Sequence, residues 1–296
     1  MVREFLSLNE YLRSLFGTRV QKIPLDAGFT CPNRDGSKGR TGCIYCDPRG
    51  SGTGLYKKGY SVAQQMISGI KWAERRYKAR LFIAYFQSFS NTYAPPERLE
   101  ATYREAIINN DVVGLFIGTR PDCIDLDVIR AIKRAAQDRY ITVELGLQSA
   151  NNDTLKAINR GHTVEDFIRA VELLKRHKIP VCAHVIFGLP GEGHEEMLES
   201  IRLLADLGVE GIKFHQLYIL EGTKAELLYR QGAIRELSLQ EYASLVAEAI
   251  KLLPPQTVVH RLQGDPPKDQ RLIAPQWSYK KGKVRRLILE TLGLSK

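Results

Sequence analysis

No run of eighteen apolar residues occurs in this 296-residue chain, and the stretch Met1-Val-Arg-Glu-Phe-Leu-Ser-Leu-Asn9 lacks the long apolar core of a secretory signal. The expectation is a cytosolic protein without a membrane partner, in which thiols stay reduced. Cysteine is scarce, with five residues in all, and there is only one C-x2-C and no H-x3-5-H, so the paired motifs that usually close a four-ligand zinc site are missing. A phosphate loop is missing too. Gly50-Ser-Gly-Thr-Gly54 is rich in glycine but carries no Gly-Lys-Ser/Thr and follows no strand, so it reads as a connector. The composition, 44% apolar, is ordinary for a globular protein and suggests neither disorder nor a membrane class. Acidic residues are in the minority, 33 against 43 lysines and arginines, for a net charge of +10. Nucleic acid is the commonest partner of such an excess, although charge alone speaks only to non-specific attraction.

What is present is concentrated. Cys31-Pro-Asn-Arg-Asp-Gly-Ser-Lys-Gly-Arg-Thr-Gly-Cys43-Ile-Tyr-Cys46 places three of the five cysteines within sixteen residues as C-x11-C-x2-C, broken by proline and glycine and therefore a loop. Three gathered thiols in a reduced compartment point to metal or iron–sulfur ligation rather than disulfides. A four-iron cluster held by Cys31, Cys43 and Cys46 would leave one iron open to a small chelating ligand. That arrangement serves the reductive cleavage of S-adenosylmethionine (SAM), whose chemistry a protein positions and shields. At this level a zinc knuckle completed in space, or three unrelated surface cysteines, remain alternatives.

Around this loop the chain has a rhythm. Residues 1–19 read as a lead-in helix stopped at Gly17, and Val20–Leu25 as a first strand feeding the cysteine loop. Ser61 and Gln64 form a capping box for a helix ending near Tyr77. Apolar runs of the kind buried on both faces start at residues 81, 112, 141, 181 and 212, the last extending to Ile219, and helical patterns separate them. The intervals of 31, 29, 40 and 31 residues are the length of a βαβ unit. Six strands in such units predict an α/β fold, an open (β/α)6 partial TIM barrel over residues 20–225, with the helical lead-in at 1–19 and a helical, basic extension at 226–296. Ligands in such folds sit at the carboxyl ends of the strands, where the cysteine loop begins.

Strand alternation puts Glu144, Gly146 and Gln148 on one face, and Cys182, His184, Ile186 and Gly188 on one face of the next strand. A Glu, a Gln and a His buried without partners would each cost on the order of 2 kcal/mol or more, so SAM or an internal hydrogen-bond network must meet them. Cys123, at the end of the third strand, is a candidate for a redox or hydrogen-atom role, whereas Cys182 reads as core. In the extension, Ser238 and Glu241 cap a helix, Val258–Leu262 is a short strand or a barrel edge, and Gly264–Lys268 is a loop. Trp277-Ser-Tyr279-Lys280-Lys281-Gly-Lys283-Val-Arg285-Arg286-Leu287 gathers two aromatics and five positive charges, a pattern suited to phosphates and an unpaired base, or to an ordinary solvated helix.

These motifs resemble the radical SAM superfamily, and specifically its YhcC/YtqA-type family. The pattern is present as Tyr-Leu-Arg at 11–13, Lys-Ile-Pro-Leu-Asp at 22–26, Gly-Phe-Thr-Cys-Pro-Asn-Arg-Asp-Gly at 28–36 and Gly-Cys-Ile-Tyr-Cys at 42–46. It continues through Phe86-Gln87, Asn91–Pro95, Gly118–Cys123, Leu145–Ser149, Asn159–His162 and Gly188–Glu192, and so covers roughly residues 5–225. The resemblance implies that Cys31, Cys43 and Cys46 ligate a [4Fe–4S] cluster whose fourth iron takes the amino and carboxylate groups of SAM, with Tyr45 the usual aromatic between the last two. The superfamily's Gly-Gly-Glu after the second strand is replaced here by Gln87, Ser88 and Ser90, which with Thr119 and Glu144 are further candidates for SAM contacts. By similarity to the coproporphyrinogen-type branch, Gln148, Arg160 and His184 fall where the nucleoside or methionine part is held, His184 at an aspartate position. Thr119-Arg-Pro-Asp122 is similar to the elongator catalytic subunit, which modifies the wobble uridine of tRNA. The family's connection with wobble-uridine side chains implies a tRNA substrate and a step from carboxymethylaminomethyl-uridine toward the aminomethyl form. It also implies a flavodoxin- or ferredoxin-type electron donor and a separate methyltransferase. A radical SAM enzyme acting on a small molecule, a cluster protein that only transfers electrons, and a zinc-containing RNA-binding module are the alternatives.

Overall fold

A computed structural model describes residues 5–47, 50, 52–267 and 269–294. Residues 1–4 of the lead-in, Ser51 of the glycine-rich connector and Lys268 of the following loop lie outside the described residues.

Parallel strands β1 (Val20–Leu25), β2 (Leu81–Phe86), β3 (Val112–Thr119), β4 (Tyr140–Gln148), β5 (Val181–Phe187) and β6 (Gly211–Gln216) follow one another in spatial order. The crossover helices are α2 (Val62–Tyr77), α3 (Pro96–Ala106), α4 (Leu126–Ala136), the pair α5 (Asn152–Ala157) and α6 (Val164–Arg176), and α7 (His194–Asp206). Two helices between β4 and β5 account for the 40-residue interval. Ser61 accepts from the Gln64 amide while the Gln64 side chain accepts from the Ser61 amide, as the capping box requires. Each helix turns an apolar stripe onto the outer face of the sheet, seen in Val128, Ile129, Ala131, Ile132 and Ala135 of α4.

The open barrel carries one strand more than six. β8 (Val258–Arg261) pairs in parallel with β6, so the stretch read as a short strand or edge is the seventh strand of the sheet. The run from Ile212 to Ile219 is not one strand: β6 ends at Gln216, and β7 (Ile219–Leu220) pairs antiparallel with β9 (Leu272–Ala274) outside the main sheet. Helix α1 (Leu8–Phe16), capped by Ser7 and stopped by left-handed Gly17, lies against both β1 and β8. The Val259 amide donates to the Leu6 carbonyl at 2.8 Å, so the lead-in segment spans the gap between the two edge strands. Tyr11 of this helix meets Tyr140 at the start of β4, which puts the plug at the amino ends of the strands and leaves the carboxyl ends open.

Among the described residues, three further α-helices follow β6: α8 (Lys224–Arg230), α9 (Leu239–Leu252) and α10 (Lys281–Thr291). The segment before α10 is clamped to the barrel by buried Gln216, whose amide donates to the Gly264 carbonyl at 3.0 Å and Ser278 Oγ at 2.8 Å and accepts from the Gly264 amide at 2.8 Å.

At the carboxyl end of β5, Glu192 accepts from Ser149 Oγ and thereby joins the loops after β4 and β5. Burial pushes its carboxyl from 4.5 up to about 7 despite the Ser149 and Thr154 hydrogen bonds. Between those values the folded chain holds a proton that the unfolded chain releases, so this stability is present below pH 4.5 and lost as pH rises to 7. Urea unfolding at pH 5 and pH 8 should show Glu192→Gln flattening that loss, gaining on the order of 1–2 kcal/mol over wild type at the higher pH.

Candidate functional site

The carboxyl ends of the strands enclose a cavity of about 430 Å³. Cys31, Cys43 and Cys46 line one side of it, and the strand-borne Glu144, Gly146, Gln148, His184, Lys213 and His215 line the rest. The inward face read from alternation along β4 and β5 is therefore the face that forms the cavity.

The cysteine loop has no helix or strand of its own, and its shape comes from hydrogen bonds to neighbouring loops. Within it, the Arg34 amide donates to the Cys31 carbonyl at 2.8 Å, the Gly42 amide to Asn33 O at 2.8 Å, and the Cys46 amide to Cys43 O at 3.0 Å. Arg34 reaches across to the Cys46 and Asp47 carbonyls at 3.1 and 2.6 Å. Gly42 adopts φ +74°, and a Cβ there would lie 2.9 Å from Arg34 Nε, so both backbone and space demand glycine. From outside, the Asn159 amide holds the Gly42 carbonyl at 2.7 Å, and the Ile44 amide donates to Ile158 O at 3.1 Å.

Thr119-Arg120-Pro121-Asp122 ties these loops together. Arg120, 2% exposed, pairs with Asp122 at 2.9 Å and donates to the Arg160 carbonyl at 2.7 Å, while Lys38 of the cysteine loop reaches Asp122 at 2.6 Å. Arg160 then donates to the Gly146 carbonyl at 3.0 Å and lies 3.7 Å from Cys43 Sγ. A Cβ on Gly146 would lie 2.4 Å from the Gln148 amide nitrogen and 2.5 Å from Arg160, so glycine there permits this approach. Burial would lower the Arg160 guanidinium, but Tyr45 and Cys43 beside it raise it, and it stays cationic against the sulfur. Burial pushes the Cys46 thiol up to about 11 against the pull of Arg34. A coordinating metal reverses such a penalty by deprotonating the thiol outright.

The donors fit a cluster with SAM. Three thiols sit on one wall, flanked by two guanidiniums that offset thiolate charge. Gln148 Oε1, His184 Nε2 and Ser90 Oγ are buried and lack a hydrogen-bond partner among the described residues, and all three residues line the same cavity. Such groups cost about 1–3 kcal/mol each when nothing meets them, and a ribose, an amine or a carboxylate would. His184 is pushed down to about 3 by burial and Lys213, so it is a neutral ring at physiological pH.

The other sequence candidates divide. Gln87, Thr119, Glu144 and Arg160 line the cavity, but Thr119 Oγ1 is engaged with Thr92 Oγ1 at 2.6 Å. Glu144 has partners inside the protein: Lys213 contacts its carboxylate directly, and Lys22 and His260 lie 3.6 Å away. Burial alone would raise that carboxyl, yet Lys213 and Lys22 hold it well below the usual range. Ser88, in the loop beyond the end of β2, is buried but does not line the cavity. Cys123 does not line it either. Burial pushes its thiol up to about 12, with Asp122 adding to the rise. Cys182 is fully buried, its sulfur beside Glu144 and His260.

In the extension, Trp277 is not a free stacking platform. Its indole N–H donates to the Leu237 carbonyl at 2.8 Å and its ring packs on Tyr242 at 5.1 Å between centroids. Tyr279, Lys280, Lys281, Lys283, Arg285 and Arg286 are exposed, and Lys281 reaches Asp265 on the cavity wall at 2.7 Å. The sequence reading missed Tyr85, Lys213, His215 and Arg261 as cavity residues. Lys213 and His215 alternate through an apolar strand just as Glu144 and Gln148 do, so the signal was there.

The Radical SAM superfamily model matches residues 31–204 and the Radical_SAM C-terminal domain matches residues 209–292. The chain is similar to the uncharacterized protein YtqA of Bacillus subtilis (strain 168), 39% identical over 282 residues that make up 95% of this chain and 87% of YtqA. It is 32% identical over 159 residues to the tRNA uridine(34) acetyltransferase of Methanocaldococcus infernus, covering 52% of this chain and 29% of that protein. The structure of the archaeal Methanocaldococcus infernus Elp3 lacking its N-terminus (1–46) superposes with a TM-score of 0.71 at 20% identity, over 93% of this chain and 63% of that one. Among the described residues, no helix is long and apolar enough to cross a membrane.

Removing Arg120 would leave the buried Asp122 carboxylate with Lys38, a half-exposed lysine, in place of two cations. Arg120→Met should cost about 3–5 kcal/mol in urea unfolding. Adding Asp122→Asn to it should return at least about 1 kcal/mol, because the under-compensated charge is then gone.

Proposed function

This chain belongs to the radical SAM superfamily, and from that membership we propose that its substrate is the wobble-uridine side chain of tRNA, altered at the step from carboxymethylaminomethyl toward aminomethyl. The superfamily's cofactors are a [4Fe–4S] cluster and SAM, and its members are enzymes, so the zinc-module and electron-carrier alternatives fall away. When bound, these groups supply a one-electron reductive cleavage that yields methionine and a 5'-deoxyadenosyl radical able to take a hydrogen atom from the substrate.

In this reading Cys31, Cys43 and Cys46 hold three irons, and Arg160 and Arg34 moderate the charge that the thiolates bring. Gln148, His184 and Ser90 offer their unpartnered atoms to SAM, with Gln87, Thr119 and Arg160 beside them. Apolar strands and the α1 plug exclude water from the barrel side of the cavity. The reacting group would enter at the open carboxyl end, and an external flavodoxin- or ferredoxin-type protein would deliver the electron. A separate methyltransferase would act on the product.

The observation that carries the tRNA reading is the position of the basic surface. Tyr279 and the five cations from Lys280 to Arg286 are exposed on a segment that Gln216 and Asp265 fasten to the cavity wall, so an RNA held there by phosphate contacts and stacking has a base within reach of the cavity. Similarity over half of this chain to a tRNA uridine(34) acetyltransferase supports the same substrate class.

The test compares wobble-nucleoside profiles of tRNA from cells with the gene, without it, and complemented with Cys46→Ala. Loss of the gene should accumulate carboxymethylaminomethyl-uridine at the expense of aminomethyl derivatives, and Cys46→Ala should fail to restore the profile. Profiles that do not change would remove tRNA from the account.

A further inference from the structure

Away from the cysteines, the cavity wall between β6 and β8 carries two cations side by side. Lys213 and Arg261 are register partners on these adjacent strands, and both line the cavity. Lys213 is committed: it contacts the Glu144 carboxylate, donates to Tyr85 Oη at 2.8 Å, and lies 4.5 Å from the centre of the Tyr85 ring. Glu144 also faces Lys22 at 3.6 Å, so one carboxylate serves two lysines.

Arg261 is held more loosely. Its guanidinium lies 3.6 Å from Asp265 Oδ2 and 3.4 Å from His215 Nε2, and its side chain is 35% exposed. Asp265 is already taken at 2.7 Å by Lys281. Lys22, Lys213, Arg261 and Lys281 thus face Glu144 and Asp265, four positive charges against two. The neighbouring rings add no charge at neutral pH, since His184 and His215 are both held neutral, by burial first. A guanidinium presents a fork of N–H donors shaped for a carboxylate, and neither of its contacts here fills that fork.

We propose that Arg261 anchors a carboxylate on the substrate, with Lys213 and His215 beside it, and so selects an acidic side chain over a neutral one. This rests on the reading above, in which the group to be altered ends in a carboxylate. A carboxylate is favoured over a backbone phosphate by its place: a terminal group can be brought down beside His215, 8% exposed, whereas a phosphodiester carries ribose on both sides and meets the exposed cations of the 280–286 segment first. Specificity then comes from β8, outside the stretch that contains the cysteines.

The experiment uses the full reconstituted chain with SAM, kept anoxic, as wild type, Arg261→Gln and Arg261→Lys, with iron content and circular dichroism confirming loading and fold. Equilibrium binding is measured for 5-carboxymethylaminomethyluridine and for its neutral carboxamide. Wild type should prefer the acid by tenfold or more, Arg261→Gln should bind both alike, and Arg261→Lys should recover only part of the preference because the bidentate fork is lost. Equal binding by wild type, or a preference that survives in Arg261→Gln, overturns the proposal. Should the nucleoside not bind, labelling of Arg261 by phenylglyoxal, read by peptide mass spectrometry, decides. Protection by acetate but not by inorganic phosphate upholds the carboxylate site even if the tRNA reading fails, while protection by phosphate alone, or by neither, overturns it.

Discussion

A loop without regular secondary structure cannot position three thiols by itself, and in this chain the buried Arg120–Asp122 pair does so from outside. Arg120 grips the Arg160 carbonyl on one side and Asp122 on the other, and Lys38 joins the cysteine loop to the same carboxylate. Loops that follow β1, β3 and β4 are thereby fixed to one another. The burial of this ion pair is expensive, and its retention makes sense as a means of holding geometry rather than of adding stability. Arg160, positioned through its carbonyl, then brings its guanidinium to Cys43 and to the Gly146 carbonyl. Each contact passes constraint from the rigid sheet to the mobile chemistry that a cluster and SAM require.

The cavity has two characters because two sets of strands line it. The loops after β1 and β4 contribute sulfur and guanidinium, and Ser90 after β2, Gln148 of β4 and His184 of β5 contribute unpartnered polar atoms, which suit a cofactor. The β6 and β8 ends contribute Lys213, His215 and Arg261, which suit an anion. Glu144 stands between the halves, bound to Lys213 and near Lys22, and neutralises part of the excess. Burial pushes the Lys22 ammonium down to about 8, and the positive charge of Lys213 crowding it adds to the fall. A ligand that brings negative charge relieves that crowding.

Much of this was legible in the sequence, for specific reasons. Strand starts emerged from apolar runs because parallel strands are buried on both faces, and Glu144, Gly146 and Gln148 were assigned to one face because the side-chain period is two. The capping boxes at Ser61 and Ser238 gave helix starts to the residue. What was lost depended on contacts distant in the chain. Whether Val258–Arg261 joins the sheet is decided by its pairing with β6, and whether Trp277 meets solvent is decided by Tyr242 and the Leu237 carbonyl. That α1 bridges β1 and β8 follows from the curl of the whole sheet. Glu144 was expected to meet SAM or an internal network, and the network is there because Lys213 stands two strands away.

The central claim is that this cavity holds a cluster with one iron left for SAM. Electron paramagnetic resonance of the reduced, reconstituted chain, recorded with and without SAM, tests it most directly. The account predicts a [4Fe–4S] signal whose g-values change when SAM is added. A signal indifferent to SAM, from a centre already saturated by protein ligands, would contradict it.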